Sequence, residues 1–128
     1  MNARAADVSS HDDAVDVGLL RDSARSFATK SAPVSRLRAL RESATGYSAE
    51  VWREMVELGW TGMLVPERAG GSGLPLLALG VVLEELGRVI APEPLLEVGG
   101  ASALLLGALG QEAARALPPE IASGAAPA

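Results

Sequence analysis

Apolar side chains recur along this chain at helical rather than strand spacing. Val15, Leu19, Leu20, Ala24, Phe27 and Ala28 repeat at steps of three and four, the period that lines one face of an α-helix. Asp12 and Asp13 stand where acids complement the positive end of a helix, and Pro33 stops it. The pattern predicts a first helix over 13–30. Ser48 is a good N-cap, Trp52, Met55 and Val56 fall on one side, and Gly59 suits the left-handed residue after a helix end. A second helix is expected over 49–58. Between the two, Arg36, Arg38 and Arg41 lie beside Ser, Thr and Gly46 in a weakly periodic stretch, read as a solvated connector or a short exposed helix rather than an anion site.

The strongest pattern comes next. Leu79, Val82, Leu83, Leu86 and Ile90 form an i, i+3, i+4, i+7, i+11 stripe, and Pro75 sits at a plausible first helical position. A third helix is expected over 75–89, with Leu76, Leu77 and Val81 widening its oily surface to two sides. The link 60–65 is apolar but holds Gly62, precedes Pro66 and has no partner strand nearby, so irregular extended chain is expected there, then a turn-rich loop over 67–73. Ala91-Pro92-Glu93-Pro94 breaks the third helix. Residues 95–109 read as a fourth helix, apolar nearly all round and expected to lie deep in the assembly, with Gly99, Gly100, Ala101 and Ser102 allowing close approach. A short fifth helix over 111–117 stops at Pro118-Pro119. The fold class is therefore all-α, a bundle of about five helices, orthogonal or up-down. Residues 1–12 are expected to be a disordered tail, 13–117 the domain, and 118–128 an interdomain linker.

Composition narrows the function classes. A chain of 128 residues with 48% apolar content can build one modest core without staples. Sixteen acids against eleven bases, net charge −5, offer no basic stripe to track phosphates, and nucleic-acid binding is not expected. The absence of cysteine excludes a disulfide framework, a thiolate nucleophile and cysteine-ligated metal sites. The start of the chain is acidic and Ser/Ala-rich, unlike a secretory signal. The longest oily run, 98–109, is well short of the roughly 20 residues that span a bilayer. A cytoplasmic protein with no membrane span is expected.

No catalytic constellation emerges. The single histidine, His11, lies in the expected tail. Glu84 and Glu85 are neighbours about 100° apart on a helix, so they cannot converge on one substrate atom. One solvated acid and one salt-bridged or capping acid is the favoured reading, with Arg88 four residues after Glu84 in the favourable order. Gly70-Gly71-Ser72-Gly73 precedes a helix but lacks the Gly-Lys-Ser/Thr ending of a phosphate loop and the spacing of the dinucleotide fingerprint, so a tight turn is expected. Dispersed acids and one histidine give no metal-ligand cluster.

Three blocks carry a resemblance. They are Trp52-Arg53-Glu54-Met55-Val56-Glu57-Leu58-Gly59-Trp60, then Val65-Pro66-Glu67-Arg68-Ala69-Gly70-Gly71-Ser72-Gly73-Leu74, then Leu83-Glu84-Glu85-Leu86-Gly87-Arg88. In this order and spacing, within 47–94, the chain resembles the N-terminal helical domain of the acyl-CoA dehydrogenase family. Ala69 stands where the family has tyrosine, a departure within a turn, and 117–124 resembles the segment leading into the family's middle β-domain.

The resemblance implies a three-part enzyme of helical domain, β-barrel-like middle domain and C-terminal four-helix bundle. FAD is held by the last two domains, and a C-terminal glutamate removes the α-proton of an acyl-CoA while hydride passes to flavin. None of those residues is in this sequence, so the chain alone is expected to be inactive, with no catalytic, cofactor-binding or metal residue. The implied partners are an acyl-CoA substrate and the other domains, or a subunit supplying them, in a homo- or hetero-oligomer. The domain's implied share is one wall of the acyl pocket, placed by position at Leu95, Leu96, Val98, Gly99 and Gly100. If Gly99 faces that slot, Gly99→Leu would shorten the accepted acyl chain. Two other readings stay open: a non-catalytic helical module that docks on a partner chain, and part of a related flavin oxidase or monooxygenase.

Overall fold

The computed structural model describes residues 15–110, and every regular element within them is helical. Helix α1 (Val17–Lys30) starts on Asp16, whose carboxylate accepts the Leu19 amide at 3.0 Å. That bond satisfies a donor the first turn would leave orphaned. The start expected at Asp12-Asp13 lies outside the described residues, as do the tail 1–12, the helix 111–117 and the linker 118–128. After α1 a 3₁₀ turn (Val34–Arg36) runs into a single α-turn, α2 (Leu37–Leu40). Of the two readings for this stretch, the short helix forms. Helix α3 (Ala49–Glu57) begins on Ser48, whose hydroxyl accepts the Val51 amide, and leads to Gly59 at φ +77°. Helix α4 (Leu76–Arg88) has Pro75 as an extended N-cap, one position outside the helix rather than in its first turn. A π-helical segment (Leu96–Ser102) then passes directly into α5 (Ala103–Leu109).

One core joins these pieces. Ala24 and Phe27 of α1, Val51, Trp52 and Met55 of α3, Trp60, Met63, and Ala78, Leu79, Val82 and Leu86 of α4 form a buried cluster closed by Leu95. Phe27 meets Trp60 edge to face, ring centroids 4.9 Å apart at 71°, the arrangement that sets a positive ring edge against a negative face. Helices α1 and α4 pack along each other, and charge fastens the seam. Glu85, 1% exposed, accepts from Arg25 at 3.1 and 3.2 Å and from Arg21 at 2.9 Å, with Arg88 at 3.4 Å. Glu84 beside it takes Arg21 at 2.8 Å and Arg88 at 3.1 Å. Glu85 thus belongs to the packing, while Glu84 makes its ion pairs at the exposed surface.

Three expectations change. The link 60–65 is a 3₁₀ turn (Trp60–Gly62) followed by a bend, because Trp60 and Met63 both turn into the core. It serves as the floor on which the next loop folds back: Ser72 N donates to Gly62 O at 3.0 Å, Leu74 N to Met63 O at 2.7 Å, and Gly73 N to Val65 O at 2.8 Å. Second, the α4 stripe holds from Leu79 to Leu86 but loses Ile90, and the wider oily surface is only partly buried. Leu76 and Leu77 are exposed, and Ile90 is 67% exposed because the helix stops at Arg88 and the backbone turns away, whereas Val81 is buried as expected. Third, the stretch 95–109 is not one α-helix, because Leu96–Ser102 winds as a π-helix before α5; in this chain by itself Leu95, Gly99 and Gly100 are buried while Leu96, Leu104, Leu105 and Leu109 are exposed.

Candidate functional site

Proline on either side of Glu93 forbids helix at the α4 exit, and the chain there is held by a buried carboxylate. Glu93 is 7% exposed and takes a two-pronged hydrogen bond from Arg36, Nη1 and Nη2 at 2.6 and 2.7 Å, plus the Ser48 amide at 3.1 Å. Burial alone would raise its pKa; the Arg36 bonds and the backbone amides outweigh it and hold the carboxyl below its ordinary value. Arg36 is therefore not a solvated connector residue but one half of a buried ion pair tying 36, 48 and 93 together. Sequence reasoning passed it over because its partner lies 57 positions away. The one available signal was a charged residue fixed between two prolines.

This anchor positions the π-helical segment. Leu95 N donates to Glu93 O at 2.8 Å, and Val98 N to Pro94 O at 3.0 Å. Within the segment the Ser102 hydroxyl donates to the Glu97 carbonyl five residues back at 3.0 Å. Such wide turns are rare and often mark functional positions in helices. Of the five residues expected to meet an acyl group, Leu95 is 1% exposed and sits in the core, and Val98 packs against it half-buried. Gly99 and Gly100 are buried as well: a Cβ on Gly99 would lie 3.3 Å from the Trp60 carbonyl oxygen and 3.4 Å from Thr61 Cα, and one on Gly100 would lie 3.2 Å from Leu79 Cδ2. Leu96 alone of the five turns outward, at 57% exposure. The glycines let the segment approach the Trp60 turn; the leucine presents an outer surface.

The glycine run before α4 is fully used by the fold. The amides of Gly70, Gly71, Ser72 and Gly73 donate to the carbonyls of Glu67, Pro66, Gly62 and Val65 respectively. None is left to cradle a phosphate, which bears out the tight turn. A Cβ on Gly71 would collide with the Val65 carbonyl, so the close approach requires glycine there. His11 lies outside the described residues, and among those described no group of three or more potential ligands could hold a metal ion. No described helix is long and apolar enough to cross a membrane.

Residues 16–125 match the family model of the acyl-CoA dehydrogenase N-terminal domain. The chain belongs to that family. This acyl-CoA dehydrogenase domain is 37% identical over 109 residues to acyl-CoA dehydrogenase IpdE2 of Mycobacterium tuberculosis, covering 84% of this chain and 34% of that protein. With IpdE2 of Mycolicibacterium smegmatis it shares 40% identity over 79 residues, 61% of this chain and 25% of the other. Among solved structures, a variant of the Tcur3481-Tcur3483 steroid ACAD superposes with a TM-score of 0.71 at 39% identity, over 84% of this chain and 30% of that one. The domain thus spans about a third of the length of the Mycobacterium tuberculosis relative and a quarter of the other.

The family is generally FAD-dependent. A surface hollow lined by Ser23, Ser26, Phe27, Lys30, Ser31, Glu54, Glu57 and Leu58 is open and mixes both charges with only two large apolar side chains. It offers no flat apolar slot of the kind a flavin ring or an acyl chain would fill. This hollow does not fit a flavin ring.

Proposed function

We propose that the chain is the N-terminal domain of an FAD-dependent acyl-CoA dehydrogenase that desaturates a steroid-derived acyl thioester in the cytoplasm. The observation that carries the reading is the 39% identity and 0.71 TM-score to a steroid ACAD over 84% of the chain. The flavin, held by parts of the protein outside this sequence, supplies the hydride acceptor. The domain's own share is steric. Leu96, carried outward by the π-helical segment, forms part of the acyl-pocket wall, with Leu95, Val98, Gly99 and Gly100 fixing where that wall stands. The joined designation of the steroid relative favours an assembly of two different subunits, and the exposed Leu104, Leu105 and Leu109 suit burial within it.

The test is to purify the full-length protein with any subunit that accompanies it, record its flavin spectrum, and compare kcat/KM on steroid-derived and straight-chain acyl-CoA with an artificial electron acceptor. The expected result is a yellow protein favouring the steroid thioester by about tenfold or more. Equal rates on both substrates would remove the steroid assignment. Flavin with peroxide production in place of acceptor reduction would make it an oxidase, and no flavin and no turnover would leave a non-catalytic docking module.

A further inference from the structure

Helix α4 ends in a pattern of hydrogen bonds that ordinarily belongs to glycine. Ile90 N donates to Gly87 O at 3.1 Å and Ala91 N to Leu86 O at 3.1 Å, the paired bonds of a Schellman ending, whose penultimate residue adopts the left-handed conformation. Ile90 fills that place with φ +53°, the one non-glycine residue at positive φ among those described. For a β-branched side chain this is a genuine steric outlier. Such strain persists only where the surroundings over-determine the backbone. They do so here, because α4 fixes one side and the buried Arg36–Glu93 pair, two residues past Ala91, fixes the other.

Glycine would make the same turn without strain. The isoleucine side chain adds nothing to the core of this domain, being 67% exposed and absent from the buried cluster. A strained backbone and an oily side chain in water are both unfavourable, and one arrangement offsets them together: the side chain is buried by something outside this domain. The chain covers only 34% and 30% of two relatives, so most of such a protein lies beyond an N-terminal domain.

We infer that Ile90 is an interdomain anchor, held in a strained helix ending so that its side chain inserts into an apolar recess of the remainder of the same polypeptide. This rests on the reading of the chain as the N-terminal domain of a longer dehydrogenase. Leu86 and Ala91 close the helix end from inside; Ile90 closes it from outside.

The experiment uses the full-length protein in its native assembly. Ile90→Gly relieves the strain, so a residue serving only as a helix ending would show a Tm unchanged or raised. An anchor shows the opposite, a fall of several degrees, because the lost burial exceeds the relief. A diazirine analogue of leucine placed at position 90 identifies the occupant by photo-cross-linking and peptide mass spectrometry. Cross-links to a later part of the same polypeptide are expected. A Tm that holds or rises, or cross-links confined to solvent, to a second copy or to a different subunit, overturns the inference. Flavin content and thioester dehydrogenation of the unmodified protein decide the functional reading separately: if they fail while position 90 still cross-links in cis, the anchor stands and the enzyme assignment falls.

Discussion

Arg36 and Arg38 are two arginines of one short helical stretch with opposite roles. Arg36 is bonded through both terminal nitrogens to a carboxylate with no solvent exposure of its side chain, while Arg38 is exposed. Breaking a buried pair strands the remaining charge, whereas an exposed arginine interacts with water whatever its neighbours do. Arg36→Ala is expected to destabilise the protein by roughly 3 kcal/mol, and Arg38→Ala by less than about 0.5 kcal/mol. Chemical denaturation of the two variants checks the ranking, and similar losses for both would mean that the Glu93 carboxylate finds another partner. Periodicity is silent on this difference, because a side chain 57 positions away decides it.

At the scale of elements, the π-helical segment shows how close packing limits what a substitution can reveal. Gly99 was expected to face an acyl slot, yet a Cβ on it points at Trp60 O, Thr61 Cα and Leu95 Cδ1, at 3.2–3.4 Å. Two of those neighbours are backbone and cannot give way cheaply. Gly99→Ala is expected to cost about 1–2 kcal/mol through overpacking, and Gly99→Leu more, appearing as lost stability before any change in chain-length preference. Thermal unfolding of the full-length protein together with kcat/KM across acyl lengths separates the effects; a Gly99→Leu enzyme of unaltered Tm and shortened substrate range would show the slot instead. The small residues at 99 and 100 signalled a close approach in the sequence, but its direction depends on the Trp60 turn beneath them.

At the scale of the whole molecule, the α1–α4 seam makes stability depend on pH. Hydrogen bonds from Arg25 and then Arg21 outweigh burial and hold the Glu85 carboxyl at about 2, against an ordinary 4.5. Arg21 lowers Glu84 as well. A folded-state pKa below the unfolded one stabilises the protein above the unfolded value, and that contribution is lost as pH falls through the folded value. Tm is therefore expected to drop between pH 4.5 and about 2, and Glu85→Gln should lack that part of the drop while starting lower at neutral pH. Parallel Tm curves for the two proteins would mean that Glu85 titrates alike folded and unfolded.

How far the chain could be read without coordinates follows from the range of the forces involved. The all-helical class, the Ser48 cap, the Gly59 exit, the breaks at 33 and 92–94 and the tight turn at 70–73 were legible, because capping, proline geometry and helical periodicity act within a few residues. The family was legible for a related reason: three local blocks kept their spacing. Tertiary structure alone decided that Trp60 turns inward on a 3₁₀ turn, that Arg36 meets Glu93, and that Arg21 and Arg25 meet Glu85. Each of these depends on which distant surface a side chain finds once the core has closed, and a one-dimensional pattern carries no record of that distance.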